Sequence, residues 1–261
     1  MDQLELKSKQ ILHFAVRAGE IMLQSGAETY RVEDTISRIL KSRHFETVET
    51  FVIPTCIIAT IDSPEIELIT NVKRIKNRST RLDKITLVNS LSRKYVNNLI
   101  STEDALAEIA IIDTIESYSP SLIICATGIS AAFFTLMVGG TFIDFFPALI
   151  FGFLCALIKM WLSNRDVTPY LIYFISGFTI GSGVVCTSWI IPHLQIDSVV
   201  IGSIMPLVPG VAFTNAIRDM IGDELISGLS RGIEALFIAV SIAAGVGIAM
   251  NIFYSIGGFS L

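Results

Sequence analysis

Apolar residues in the first part of the chain follow helical and strand-like spacings in turn. Between residues 11 and 22 they recur at intervals of three and four, which predicts a helix with one buried face that stops near Gly26. β-Branched residues dominate two later segments, as is typical of strands. The complete pattern predicts three more helices, near 28–42, 81–100 and 102–115, and strands near 47–53, 55–61 and 65–68.

The pattern changes at about residue 117, where long uncharged stretches begin. Residues 1–116 contain 32 of the 43 Asp, Glu, Lys and Arg residues, and residues 117–261 contain the other 11. About 20 apolar residues in a helix cross a bilayer. We therefore expect a membrane protein with a soluble α+β N-terminal domain (1–116), followed by an all-α bundle of about five transmembrane helices (117–261). The spans are predicted near 120–139, 143–162, 168–188, 196–213 and 230–253.

The basic residues of the connections predict the orientation of this bundle. The connections near 139–141 and 187–197 carry no Lys or Arg, and the basic residues on the other side are Lys159, Arg165, Arg218 and Arg231. Because cytoplasmic loops carry the excess of Lys and Arg, that side is predicted to be cytoplasmic, together with the N-terminal domain. We recognise no secretory signal peptide, and an odd number of spans places the C-terminus outside.

Composition and charge narrow the function classes. Hydrophobic residues make up 52% of the chain and charged residues 16%, against roughly 25% charged residues in a typical soluble domain. The net charge is −5 and no basic stripe is present, so we expect no nucleic-acid partner. The four cysteines form no CxxC pair, and P-loop and zinc-protease motifs are absent, so we expect no bound cofactor or metal.

The segment Ser203–Gly210 predicts a break inside the fourth span. Pro206 and Pro209 each remove a backbone N–H donor, and Gly210 adds a flexible position. Many transporters build their substrate sites from unwound helices at membrane depth. The simpler alternative is a proline kink near a helix end. Pro206, Pro209 and Gly210 are therefore candidate substrate-site residues.

Charged and amide side chains provide the candidate chemistry of the membrane half. Asn215, Arg218 and Asp219 are spaced to share one helical face. The Arg218 guanidinium is suited to a substrate carboxylate, and Asp219 and Glu234 are suited to an ammonium group or a proton. Asp144, near the outer face, is a further candidate for coupling. The alternative is that these charges pair with one another or face water at the membrane interface.

Residues Gly228–Gly232 match the GxSxG pattern of serine hydrolases. A nucleophile elbow needs a strand before the serine, whereas this segment lies at the start of a predicted membrane helix. We therefore do not expect an enzyme.

Two separated segments resemble signatures of the threonine/serine exporter (ThrE) family. Gly26–Thr35, with the sequence GAETYRVEDT, is similar to the opening signature in the family's shorter, YjjP-like form. Leu207–Gly210 (LVPG), followed by Thr214–Asp219 (TNAIRD) and Ser227-Gly228, resembles a second signature. The resemblance extends over nearly the whole chain.

The resemblance implies a subunit of a secondary exporter in the inner membrane of a bacterium. Such an exporter is driven by an ion gradient, taken here to be a proton gradient. It carries small polar metabolites, either amino acids such as threonine and serine or dicarboxylates such as succinate, and the two motifs do not separate these classes. Short members are expected to work with a separate small membrane subunit as a two-component complex. A homo-oligomer is a possible alternative.

The first motif lies in the predicted soluble domain, so it is expected to have a structural role and not to form a membrane substrate site. Glu28 and Arg31 are therefore expected to pair and fix the start of a helix, or to gate the cytoplasmic mouth of a pathway. A competing hypothesis is a non-transporting, membrane-anchored sensor or assembly protein whose N-terminal half binds a ligand. Polar residues inside spans and broken helices favour the exporter, because an anchor needs neither.

Overall fold

The computed structural model describes residues 3–76 and 78–257, which form two compact units. The first unit contains the residues up to Glu116 together with Val211–Ile233, and the second contains Ser117–Gly210 together with the residues from Glu234 onwards. The hydrophobic pattern placed a single boundary at residue 117. The structure adds Val211–Ile233 to the N-terminal elements, because buried polar groups of this segment bond to the loop between the first two helices.

The first unit combines helices with an antiparallel sheet. Along the chain its N-terminal elements are α1 (Gln3–Gln24), α2 (Thr29–Lys41), β1 (Thr47–Ile53), β2 (Cys56–Ser63), β3 (Ile66–Arg74), α3 (Leu82–Val96) and α4 (Thr102–Thr114). The strands lie in the order β1-β2-β3. The third strand extends beyond the predicted 65–68, because it pairs with β2 as far as Cys56↔Arg74.

Helix α1 provides the centre of this unit's core. It packs against α2, α3, α4 and the strands β2 and β3. The Phe14 ring lies 4.7 Å from the Tyr95 ring, measured between centroids, and burial of such a side chain contributes roughly 1.5–3 kcal/mol. The predicted buried face of α1 is confirmed at Ile11, Phe14, Ala15, Ala18, Ile21 and Met22.

Long apolar helices dominate the rest of the chain. They are α5 (Pro120–Met137), α6 (Phe142–Ser163), α7 (Pro169–Ser188), α8 (Ile196–Ile204), α9 (Gly210–Ile221) and α10 (Leu225–Gly257). Among the described residues, four of these helices (α5, α6, α7 and α10) are long and apolar enough to cross a membrane. The chain is therefore a multi-pass membrane protein, and these four helices coincide with predicted spans.

The remaining predicted span, 196–213, is a broken helix. α8 continues into a 3-10 turn at Met205–Leu207, and Val208 is extended, with ψ at 129°. Pro209 has no N–H to donate, and the N–H of Gly210 bonds to the Val208 carbonyl at 2.8 Å. The predicted break at Pro206–Gly210 is confirmed. If the two pieces are counted as one span, the described part of the chain has up to five.

Backbones in the second unit approach each other closely at glycines. A Cβ at Gly177 of α7 would lie 2.6 Å from the Ile242 carbonyl oxygen of α10, and one at Gly181 would lie 2.9 Å from the Val246 carbonyl oxygen. Small residues allow membrane helices to pack at this distance. At Gly247, also on α10, nothing lies within 4 Å of the corresponding position.

Gly177→Ala is expected to destabilise the protein by about 1–3 kcal/mol, because the added methyl group forces the α7 and α10 backbones apart. Gly247→Ala is the matched control, and it is expected to leave stability unchanged or to raise it by up to about 1 kcal/mol. Thermal unfolding of the purified full chain in detergent measures both effects. Equal melting temperatures for the two variants would contradict this packing.

Candidate functional site

The loop between α1 and α2 contacts α9 and the first turns of α10. α1 ends at Gln24, and Gly26 adopts a φ of +87°, a left-handed conformation that glycine takes without strain. The N–H of Ala27 bonds back to the Met22 carbonyl at 3.0 Å. This sharp turn leaves the carbonyls of Gly26 and Ala27 and the N–H of Thr29 available to partners on other elements.

Asp219 of α9 caps the N-terminus of α2. Glu28, the residue before α2, makes no side-chain capping bond of its own. Asp219 Oδ1 instead accepts from the Thr29 N–H at 2.9 Å, and Asp219 Oδ2 accepts from the Thr29 hydroxyl at 3.1 Å. A carboxylate is favoured there, because the first N–H groups of a helix lack partners within the helix and its dipole is positive at that end. The Asp219 side chain is fully buried.

Arg231 of α10 supplies the positive charge that this buried carboxylate needs. Its Nε lies 3.1 Å from Asp219 Oδ2. One terminal nitrogen donates to the Ala27 carbonyl at 2.7 Å and to the Thr29 hydroxyl at 3.4 Å. The Arg231 side chain is itself buried, so the ion pair and the loop shield each other from solvent.

Asn215 lies one turn before Asp219 on α9 and donates from Nδ2 to the Gly26 carbonyl at 2.8 Å. It is also buried. We call Asn215, Asp219 and Arg231 the loop anchor, because all three hold the backbone of the α1–α2 loop.

Glu28 bridges two arginines that are not part of the loop anchor. Its Oε1 lies 2.7 Å from a terminal nitrogen of Arg218, and its Oε2 lies 2.8 Å from a terminal nitrogen of Arg31. The Glu28 side chain is 6% exposed, Arg31 is 39% exposed and Arg218 is 57% exposed. We call these three residues the arginine bridge. The predicted pairing of Glu28 with Arg31 is confirmed.

Electrostatics keeps the bridging carboxylate ionised. Burial by itself raises the pKa of Glu28, but the hydrogen bonds from its own backbone N–H and from Arg218, with the charge of Arg31, hold that pKa below its ordinary value. Two nearby acids respond oppositely. Burial and the charge of Glu224 raise the pKa of Glu33, and burial and the charge of Asp219 raise the pKa of Glu224. No described ion pair joins Glu33 or Glu224 to Arg31 or Arg218.

Helix α9 buries polar side chains and exposes several apolar ones. Asn215 and Asp219 are buried, whereas Phe213, Ile217 and Ile221 are exposed. A surface helix of a water-soluble protein has the opposite pattern. The α9 pattern fits a helix whose outer surface contacts lipid, where polar side chains face the protein interior.

In the second unit, Asp144 ties the start of α6 to the start of α8. Its Oδ2 accepts from the Thr141 N–H and from the Thr141 hydroxyl, both at 2.7 Å, and the bond from the N–H is part of a capping box. Its Oδ1 accepts from the Gln195 N–H at 2.9 Å. The side chain is fully buried. Both oxygens therefore hold backbone groups, which is a positioning role.

The predicted site residues fall in both units. Asn215, Arg218 and Asp219 gather around the α1–α2 loop in the first unit, and the second unit contains Asp144, Pro206, Pro209, Gly210 and Glu234. Sequence reasoning did not include Thr29 or Arg231 in the site. One signal in the sequence was available. The first motif contains the acid Glu28 and the second contains Arg218, and these opposite charges indicate that the two motifs meet although they lie 190 residues apart.

Among residues 3–76 and 78–257, no group of three or more His, Cys, Asp or Glu side chains is arranged to hold a metal ion. The elements that stand out are apolar helices of membrane length, an apolar helix broken at prolines, and buried ion pairs. This combination defines a multi-pass membrane protein with the features of a transporter. Residues 13–253 match the family described as "Putative threonine/serine exporter", and the chain belongs to this family.

Relatives of known name agree with this class. A Mycobacterium tuberculosis protein named "Probable threonine/serine exporter" is 22% identical over 252 residues, which are 95% of this chain and 47% of that protein. The chain thus spans about half the length of this relative. Two proteins named "Probable succinate transporter subunit YjjP" also match. The Klebsiella aerogenes protein is 23% identical, over 94% of this chain and 95% of its own length. The Escherichia coli protein is 21% identical, over 94% of this chain and 96% of its own length.

No solved structure gave a significant match. The chain is a transport protein and not an enzyme.

Asp219→Ala is expected to destabilise the protein by about 3–5 kcal/mol, because it removes the carboxylate that faces the buried Arg231 and uncaps α2. Asp34→Ala is the matched control. It removes the exposed pair with Arg38, whose atoms lie 2.8 Å apart, at an expected cost below about 1 kcal/mol. Thermal unfolding of the full chain in detergent compares the two variants. A loss for Asp219→Ala no larger than that of the control would show that the loop anchor does not support the fold.

Proposed function

We propose that the chain is a subunit of a secondary exporter that carries small amino acids such as threonine and serine, or dicarboxylates such as succinate, across the bacterial inner membrane. The observation that carries the proposal is the helix break at Pro206–Gly210 within an apolar segment of span length. Such a break frees carbonyl groups that line transport pathways in many transporters. The family and the names of the relatives support the same function class.

Arg218 is the proposed carboxylate-binding residue. Its guanidinium is mostly exposed and donates to a single protein carboxylate, so it has N–H groups for a second one. Asn215 and Asp219 are buried and bonded to the α1–α2 loop, so we assign them the role of positioning α9 and with it Arg218. Pro206, Pro209 and Gly210 form the break.

Coupling is proposed to use an ion gradient, with the proton as the ion. Glu234 is the first candidate, because it is partly buried on α10 and the residues after it carry no charge. A carboxylate inside a membrane span is costly and is usually functional. Asp144 is the second candidate, although its three hydrogen bonds favour a positioning role. In this proposal residues 1–116 lie in the cytoplasm and the C-terminus lies outside, as the loop charges predict.

A separate small membrane subunit of the same family completes the proposed exporter. The chain covers about half of the mycobacterial relative but 95% and 96% of the relatives named as subunits. These proportions support a two-component complex in which the second chain supplies what the longer relative has in one chain. A homo-oligomer is the alternative assembly.

A groove in the first unit supports a second candidate function, that of a membrane-anchored sensor or assembly protein. The groove has a volume of about 880 Å³ and lies between α1, the α2–β1 connection and the α3–α4 connection, with Arg43 and His44 in its wall. A cavity of this size accommodates a small metabolite. The exporter remains the first proposal, because an anchored sensor needs no broken helix.

Efflux measurements test the exporter. Cells preloaded with labelled threonine, serine or succinate are expected to release one of them when this chain and the small subunit are co-expressed. Release is expected to collapse when the proton gradient is dissipated, because the gradient drives export. This chain alone is the control and is expected to release none. If cells with the assembled complex retain all three compounds, the exporter is wrong and the sensor is favoured.

Arg218→Ala is expected to abolish export and to leave the amount of protein in the membrane unchanged, because the side chain is mostly exposed and contributes little to packing. Arg38→Ala, which removes another exposed arginine of the first unit, is the control and is expected to export normally. Full export by Arg218→Ala would remove Arg218 from the site.

A further inference from the structure

We propose that Arg31 and Arg218 together form one binding site for a substrate carboxylate, held in shape by Glu28. The proposal rests on the exporter function above. It adds Arg31 as a second substrate-binding residue and Glu28 as a positioning residue, both from the motif at the start of α2. The ligand is a small carboxylate, the group that amino acids and dicarboxylates share.

The geometry of the arginine bridge already fits a carboxylate. The two oxygens of Glu28 accept from different guanidiniums, at 2.7 Å from Arg218 and 2.8 Å from Arg31. The Glu28 carboxylate thus holds two guanidinium groups next to each other. Arginine suits such sites, because its N–H groups match the two oxygens of a carboxylate. The Glu28 side chain is buried, so it holds the pair from the protein side.

The arginine bridge retains unused binding capacity. A guanidinium has five N–H donors, and the hydrogen bonds described for Arg31 and for Arg218 use one donor each, both to Glu28. Both side chains are partly open to solvent. Two positive charges and one negative charge leave the bridge with a net charge of +1. An incoming carboxylate meets unused N–H donors on both arginines and a complementary charge.

The neighbouring loop anchor shows the opposite arrangement. Asp219 and Arg231 are buried, and their bonds go to each other and to the α1–α2 loop. Such a pair fixes the backbone and offers nothing to a solute. Helix α9 therefore contributes Asp219 to a buried structural pair and Arg218 to a partly exposed pair of arginines. This contrast places substrate binding on Arg31 and Arg218 rather than on Asp219.

The position of Arg218 on α9 suits a solute that is about to enter the membrane. Ile217 and Ile221, on the exposed apolar face of α9, flank Arg218 along the helix. Arg218 therefore lies where this lipid-type surface meets the polar face. An anionic lipid headgroup is an alternative anion for such a position. We favour the carboxylate, because the two arginines already bind the Glu28 carboxylate, with one hydrogen bond to each of its oxygens.

Transport kinetics in proteoliposomes that contain the full chain and the small subunit test the site. Arg31→Ala is expected to raise the KM for labelled succinate or threonine by about tenfold or more, because it removes a charge-assisted hydrogen bond. Arg31→Lys is expected to fall between wild type and Arg31→Ala, since an ammonium group retains the charge but not the fork. Arg38→Ala, on the exposed side of the same helix, is expected to match wild type.

Competition by uncharged analogues separates substrate binding from a purely structural role. Succinate should compete far better than its diamide in the wild type, and threonine should compete far better than threoninamide. Arg31→Ala is expected to reduce this preference for the carboxylate. Glu28→Gln is expected to raise the KM as well, because a neutral amide holds the guanidiniums less firmly. A structural defect alone lowers the transport rate and leaves the preference unchanged.

Each other outcome has a distinct meaning. Wild-type transport combined with an unchanged KM and unchanged preference in Arg31→Ala overturns this site and leaves the exporter function intact. No transport by the wild-type complex overturns the exporter function and this site with it. An Arg31→Ala effect that occurs in liposomes with anionic lipid, and disappears in pure phosphatidylcholine, assigns the arginines to anionic lipid headgroups and overturns the substrate site.

Discussion

The buried ion pair between Asp219 and Arg231 is the interaction on which the first unit depends. Two charges removed from water are tolerated only when their remaining donors and acceptors are bonded. The α1–α2 loop supplies those partners through the N–H and hydroxyl of Thr29 and the carbonyl of Ala27. If the loop moved away, the ion pair would lose its hydrogen-bond partners and remain in an apolar environment. This constraint holds the start of α2, α9 and the first turns of α10 as one body.

The anchor also explains the reversed polarity of α9. Asn215 and Asp219 face the loop, and apolar residues such as Phe213 and Ile217 lie on the outer surface of the helix beside the exposed Arg218. Such a surface suits lipid, and α10 begins in the first unit and continues as a helix of membrane length. The N-terminal motif is thus bonded to membrane-type helices, although its own sequence is that of a water-soluble domain.

The charged residues of this region fall into two groups. Those of the loop anchor bond within the protein, whereas Arg31 and Arg218 have N–H donors left for a ligand. The anchor residues are buried and contact one another and the α1–α2 loop, and a framework of this kind keeps functional groups in place. Arg31 and Arg218 keep free donors and share a carboxylate that stays ionised, because its pKa is lowered by hydrogen bonding and by the arginine charges despite burial. The ligand that we propose for this combination is a small carboxylate. Amino acids and dicarboxylates share this group, so the proposed site is compatible with either substrate class.

Local spacing along the chain determined the helices, the strands and the break at Pro206–Gly210, because periodic burial and proline chemistry act within a few residues. It also singled out Arg218 and Asp219 as chemically unusual. Tertiary structure alone decided their partners. Asp219 meets Thr29 across 190 residues, and Asp144, expected near a membrane interface, is buried against Gln195, 51 residues away. The sequence indicates that a charge in an apolar segment needs a partner, but many other polar or charged residues along the chain are equally suitable partners. Only the packed fold brings one of them within hydrogen-bonding distance.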